Sequence, residues 1–221
     1  MANALLGQPL LGQSLLGQDA SLRRGARRLY AESGLEALLR RYGEPHLTGS
    51  AALGLMTWPD LDLYLAAEEM PLERFFRLGA DLAALLHPVR MTFRDERARR
   101  AADAQDAGPS DPVAALPEGL YWGLQLAEQA EGAWNIDLWA VSPREAARRL
   151  AVRDAIAARL TPEARLRILA IKDAVWRDPA YRAAFHSTDI YDAVLEHGVA
   201  DVEGLRRYLE ERTLKSRKAA E

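Results

Sequence analysis

Hydrophobic and polar positions alternate most clearly in Trp58-Pro59-Asp60-Leu61-Asp62-Leu63-Tyr64-Leu65. Strand side chains point to opposite faces in turn, so residues two apart share a face. Leu61, Leu63 and Leu65 then line one face, and Asp60 and Asp62 leave the other side by side. A short apolar strand beginning at His46 precedes this stretch, joined to it by Thr48-Gly49-Ser50 and a turn or two of helix from Ala51 to Met56. Met91 to Arg94 alternates as a further strand. Gly119 to Leu126 and Trp134 to Val141 are apolar, aromatic strands joined by the acidic turn Glu128 to Gly132, which predicts a hairpin.

Helical spacing fills most of what remains. A helix is expected from Asp19 or Ser21 to Ala31, with Arg23, Arg24, Arg27 and Arg28 on its surface, and a second from Gly34 to Tyr42, with Leu35, Leu38 and Leu39 at core spacing. Pro71 opens a third, whose apolar stripe runs from Leu72 through Phe75, Leu78 and Leu82 to His87-Pro88. Ser142-Pro143-Arg144-Glu145 and Thr161-Pro162-Glu163 read as helix starts. Short helices are expected over Asp189 to His197, capped by Ser187 and Asp189, and over Asp201 to Glu211.

Strand, helix, strand, helix, then strands predicts an α+β fold: a mixed sheet covered by helices on at least one face, followed by a C-terminal helical subdomain. The expected divisions are 1–18, 19–142 and 143–221. Residues 5 to 18 repeat LLGQ with a period of five, which fits neither helix nor strand, and glycine in each unit weakens a helix. The expectation there is a flexible or marginally ordered extension without a role in chemistry. Arg97 to Pro117, rich in Ala, Asp, Gly and Pro, reads as a surface loop.

Composition narrows the functional classes. With 221 residues, 49% of them hydrophobic and 28% charged, the chain suits one medium domain or two small ones. The absence of cysteine excludes disulfides, thiolate metal sites and a cysteine nucleophile, and is compatible with a cytoplasmic protein. A net charge of −3 argues against a general nucleic-acid binder. No apolar run approaches the ~20 residues of a membrane span, and the LLGQ stretch lacks the basic segment of a signal peptide. Oligomeric state is not legible.

Aspartate is a poor strand former, and two neighbouring carboxylates repel. The economical reason for Asp60 and Asp62 in one strand is a divalent cation, magnesium by preference, held by hard oxygen ligands. Asp137, alone in Trp134-Asn135-Ile136-Asp137-Leu138-Trp139, supplies a third acid. Gly49-Ser50, nine residues, Asp60-Leu61-Asp62 and a distant strand carrying Asp137 resemble the nucleotidyltransferase superfamily typified by DNA polymerase β, over about Gly43 to Val141. The similarity is greatest to small members that modify antibiotics, proteins or other acceptors.

The resemblance implies a metal-dependent transfer of a nucleoside monophosphate from a nucleoside triphosphate to a hydroxyl of a small-molecule acceptor, aminoglycoside-like or lincosamide-like. It implies two Mg²⁺ ions held by Asp60 and Asp62. Asp137 would bind the ion that activates the acceptor hydroxyl, or act itself as general base. Gly49 and Ser50 would cradle the β or γ phosphate. Lys172 is a candidate for the triphosphate, against the alternative of a surface lysine lying over an apolar stripe; Arg94, at a strand end, is a second phosphate candidate. Alternatives within and outside the chemistry are a protein-modifying minimal nucleotidyltransferase of the antitoxin type and a catalytically silent nucleotide-binding module. Tyr121, Trp122, Trp134 and Trp139 are expected mostly in the core, and His46, His87 and His197 are assigned to no metal.

Overall fold

The computed structural model describes residues 8–97, 116–181 and 183–219. The loop expected between Arg97 and Pro117 falls almost wholly outside the described residues. The chain divides into two compact units, Ala20–Ala155 and a second formed by Met1–Asp19 with Ile156–Glu221. The second division falls inside a continuous helix rather than at Ser142, and the N-terminal residues group with the helical unit.

In Ala20–Ala155 the elements are the end of α1 (Gln8–Arg27), a π-helical turn (Arg28–Glu32), α2 (Leu35–Arg40), β1 (Glu44–Leu47), α3 (Gly49–Leu53), β2 (Asp60–Ala66), α4 (Leu72–Leu86), β3 (Arg90–Asp95), β4 (Gly119–Gln129), β5 (Gly132–Val141) and most of α5 (Pro143–Arg159). The five strands form one mixed sheet in the order β1-β2-β5-β4-β3. β2 and β5 run parallel; every other neighbouring pair is antiparallel. The β4–β5 hairpin closes with Gln129 opposite Gly132, as the acidic turn implied.

Alternation decides which face of the sheet is core. Leu61, Leu63 and Leu65 of β2, Ile136 and Leu138 of β5, and Leu120, Trp122 and Leu124 of β4 are buried together with Leu35, Leu39, Phe75, Leu78 and Leu82. The stripe of α4 lies on Trp122: the indole stacks on Phe75 at 5.6 Å and its Nε1–H donates to the Phe75 carbonyl at 3.1 Å. That hydrogen bond satisfies the one polar atom of an otherwise apolar side chain. The helix ends at His87, in the left-handed region at φ 46°, just before Pro88.

The helical unit contains α6 (Pro162–Val175), α7 (Ser187–Leu195) and α8 (Val202–Ala219). Thr161 caps α6 by accepting the Ala164 N–H, as the Thr-Pro-Glu signal predicted. For α7 the cap is His186 rather than Ser187, with Asp189 reaching back to the His186 N–H at 2.7 Å. The LLGQ expectation is corrected from Gln8 onward: the repeat is helical. Packing overrides the local weakness of glycine, because Leu15 is buried, Gly12 lies beside Leu166 and buried Asp19 forms an ion pair with Arg165. Among the described residues no helix is long and apolar enough to cross a membrane.

Candidate active site

The face of the sheet opposite the core carries the polar side chains of β2 and β5. Register sets them in rows: Asp60 lies opposite Asn135, Asp62 opposite Asp137, and Tyr64 opposite Trp139. Neighbouring strands are about 4.8 Å apart, so pairing places the Asp62 and Asp137 side chains next to each other on one face. The three acids named from sequence therefore share a face, and two of them are cross-strand partners.

The Gly49-Ser50 turn is fitted to Asp62. The Thr48 N–H donates to the Asp62 carbonyl at 3.0 Å, tying the turn to β2. Gly49 adopts φ 60°, and a Cβ there would lie 1.9 Å from Asp62 Oδ2. Glycine is required twice, for the left-handed backbone and for the space the carboxylate takes. Ser50 is buried in the first turn of α3, with its carbonyl accepting the Leu55 N–H at 2.9 Å.

Asp137 is held from its other side. The Tyr121 hydroxyl of β4 donates to Asp137 Oδ1 at 2.6 Å. Tyr121 reaches it by lying across Gly123, the residue opposite Asp137, where a Cβ would come within 2.3 Å of the phenol oxygen. Burial first, then the Asp137 charge, push the Tyr121 phenol well above its ordinary value, so it remains a proton donor at neutral pH. Arg94 of β3 caps the ring, its guanidinium carbon 4.0 Å from the Tyr121 centroid and 5.5 Å from that of Trp139. Arg94 thus shares the acidic face, engaged with aromatic rings.

Helix α5 crosses the same unit. Ala146 packs with Tyr121, Trp139 and Val141. Burial works against the Glu145 carboxylate, but hydrogen bonds from Arg148 and Arg149 hold it below the usual glutamate value. Arg149 hydrogen-bonds the Tyr64 phenol, and Arg153 donates to the Leu47 carbonyl at 2.8 Å, at the entry to the Gly-Ser turn. Sequence reading missed this ladder, although Glu145, Arg149 and Arg153 recur every four residues along one helix face. It also missed the Tyr121 contact, whose only trace is Tyr-Trp-Gly on a strand.

Lys172 belongs to the helical unit and is fully buried, which overturns the alternative of a surface lysine. Its ammonium lies 3.5 Å from the Tyr191 hydroxyl and 5.7 Å from the ring centroid. A cleft of about 1010 Å³ opens beyond the far ends of β2 and β5, lined by Glu68, Glu69, Arg97, Glu118, Arg144 and Arg148. It includes none of the three acids.

Among the described residues no three His, Asp or Glu side chains are gathered into a ready-made ligand cluster. The donor set nevertheless suits magnesium: hard anionic oxygens only, two of them on adjacent strands in one register row, where an ion would relieve their repulsion. No protein-family model matches the sequence, and no curated protein matches it.

Proposed function

We propose that the chain is a metal-dependent nucleotidyltransferase that moves a nucleoside monophosphate from a nucleoside triphosphate to a hydroxyl of a small-molecule acceptor. The observation that carries the reading is the register row Asp62–Asp137, with Gly49 backed onto Asp62. A strand pair built only for stability has no use for two carboxylates side by side, nor for a glycine kept free of a Cβ by one of them.

Asp60, Asp62 and Asp137 would hold Mg²⁺, which when bound neutralises charge on the phosphates and the attacking oxygen. The protein's own contribution is positioning. The Gly49 backbone permits close approach of a phosphate beside Asp62. Tyr121 fixes Asp137, and the apolar back of the sheet, with Leu61 and Leu63 fully buried, keeps β2 from shifting register. Phosphoryl-group transfer asks for little covalent work from the protein, so rigid placement of these groups supplies most of what catalysis needs.

Incubation with each nucleoside triphosphate, magnesium and a panel of hydroxylated acceptors, following pyrophosphate release and the fate of an α-phosphate label, tests the reading. The expected result is label on a small molecule, lost in Asp62→Asn. Label on protein, or turnover indifferent to Asp62→Asn, contradicts it.

A further inference from the structure

Asp137 is not left to orient itself. Four observations converge on its neighbour Tyr121: the 2.6 Å hydrogen bond to Oδ1, the lodging of the phenol over Gly123, the Arg94 guanidinium on the ring, and Trp139 at 4.8 Å. The ring is buried, so its position is set by packing and its hydroxyl has a fixed target. A carboxylate with one oxygen committed to a neutral donor keeps its charge but loses the freedom to rotate or to chelate through both oxygens.

We propose that Tyr121 is the positioning residue for Asp137, presenting one carboxylate oxygen to a divalent cation while occupying the other, and that Arg94 serves the site by clamping the Tyr121 ring. The inference rests on the nucleotidyltransferase reading, since it supposes that Asp137 serves as an ion ligand. It gives Arg94 a part different from direct phosphate contact: the guanidinium lies over two aromatic rings. It also assigns Gly123 a purpose, because any side chain there would displace the phenol from Asp137.

The test uses the full chain with α,β-methylene-ATP and Mn²⁺, counting bound manganese by the electron paramagnetic resonance of the free ion. The parent is expected to bind Mn²⁺ in the presence of the nucleotide, with binding weakened in both Asp62→Asn and Asp137→Asn. Tyr121→Phe keeps the ring and removes the hydroxyl; partners that orient metal ligands typically change affinity by 10- to 100-fold, so its Mn²⁺ affinity should fall by about tenfold or more. Arg94→Gln leaves the hydroxyl but loosens the ring, and a smaller loss, about threefold, is expected. A purely structural tyrosine would lower the melting temperature without moving Mn²⁺ affinity, and that result overturns the proposal.

Should Tyr121→Phe fail to fold, Arg94→Gln decides: an affinity equal to the parent's overturns the proposal, and a reduced one supports it. Parent binding that ignores both aspartate variants removes the ion-ligand reading itself. Binding that depends on both aspartates but is unchanged in Tyr121→Phe removes only the role of the tyrosine.

Discussion

The two faces of β2 and β5 are built from alternate residues of the same strands, yet they obey different rules. On one face Leu61, Leu63, Leu65, Ile136 and Leu138 are at most 1% exposed and close against helices. On the other, Asp60, Asp62, Asn135 and Asp137 occupy the matching positions. The apolar face is buried in the core, whereas the polar one sets two carboxylates in a single register row, against the strand preference of aspartate. On the proposed function, such a division assigns stability to one set of side chains and chemistry to the other, and substitutions on neighbouring residues separate the two.

The largest separation is expected at adjacent positions 62 and 63. Asp62→Asn should reduce nucleotide transfer by roughly a thousandfold, corresponding to the several kcal/mol of transition-state charge stabilisation that a bound ion supplies. Its melting temperature without magnesium should stay level or rise, because a like-charge neighbour of Asp137 is gone. Leu63→Ala should do the reverse. The cavity should cost about 3 kcal/mol, lowering the melting temperature by roughly 6–12 °C, while the folded fraction retains transfer. A Leu63→Ala protein that is stable but inactive would break the division between the faces.

A smaller effect is expected where α5 covers the polar face. Glu145 accepts from Arg148 at 2.8 Å and from Arg149 at 2.6 Å, and its side chain is only 12% exposed. Its carboxyl is depressed in the folded chain, so the stabilisation is present above the ordinary glutamate value of 4.5 and is lost as pH falls through the lowered folded value. Chemical denaturation of Glu145→Gln against the parent should show a deficit of about 1–2 kcal/mol at neutral pH. That deficit should shrink to nothing in strongly acidic solution. A deficit constant with pH would mean that packing, rather than charge, is what Glu145 contributes.

Much of this organisation was legible in the residues. Period-two alternation identified β2, with the sense of its two faces, and β3; apolar, aromatic runs identified β4 and β5, and the acidic turn after Glu128 announced the hairpin. Partners distant in the chain were not legible. The parallel pairing that sets Asp62 against Asp137 joins strands separated by α4, β3 and β4, and spacing within a strand carries no information about such register. Lys172 shows a similar limit: lysine at helical spacing among apolar residues reads equally as a surface stem or a buried ammonium, and only the packing around Tyr191 decides.

The LLGQ repeat misled because a five-residue period and recurrent glycine are local signals, whereas α1 is held by Leu15 and by the Asp19–Arg165 pair. The smallest expected effect tests that explanation. Gly17 is exposed within α1 and a Cβ there meets nothing within 4 Å. Gly17→Ala should stabilise the chain by about 0.5–1 kcal/mol, read as a rise of roughly 1–4 °C in melting temperature. No change, or a fall, would mean that this part of α1 is not helical in solution.

The most direct measurement is a crystal structure with Mn²⁺ and a non-hydrolysable nucleoside triphosphate, locating the metal by its anomalous scattering. The account predicts manganese bound by Asp60, Asp62 and Asp137, with Tyr121 still donating to Asp137 and the phosphates beside Gly49. Manganese and nucleotide bound elsewhere, for instance in the cleft at the far ends of β2 and β5, would contradict it.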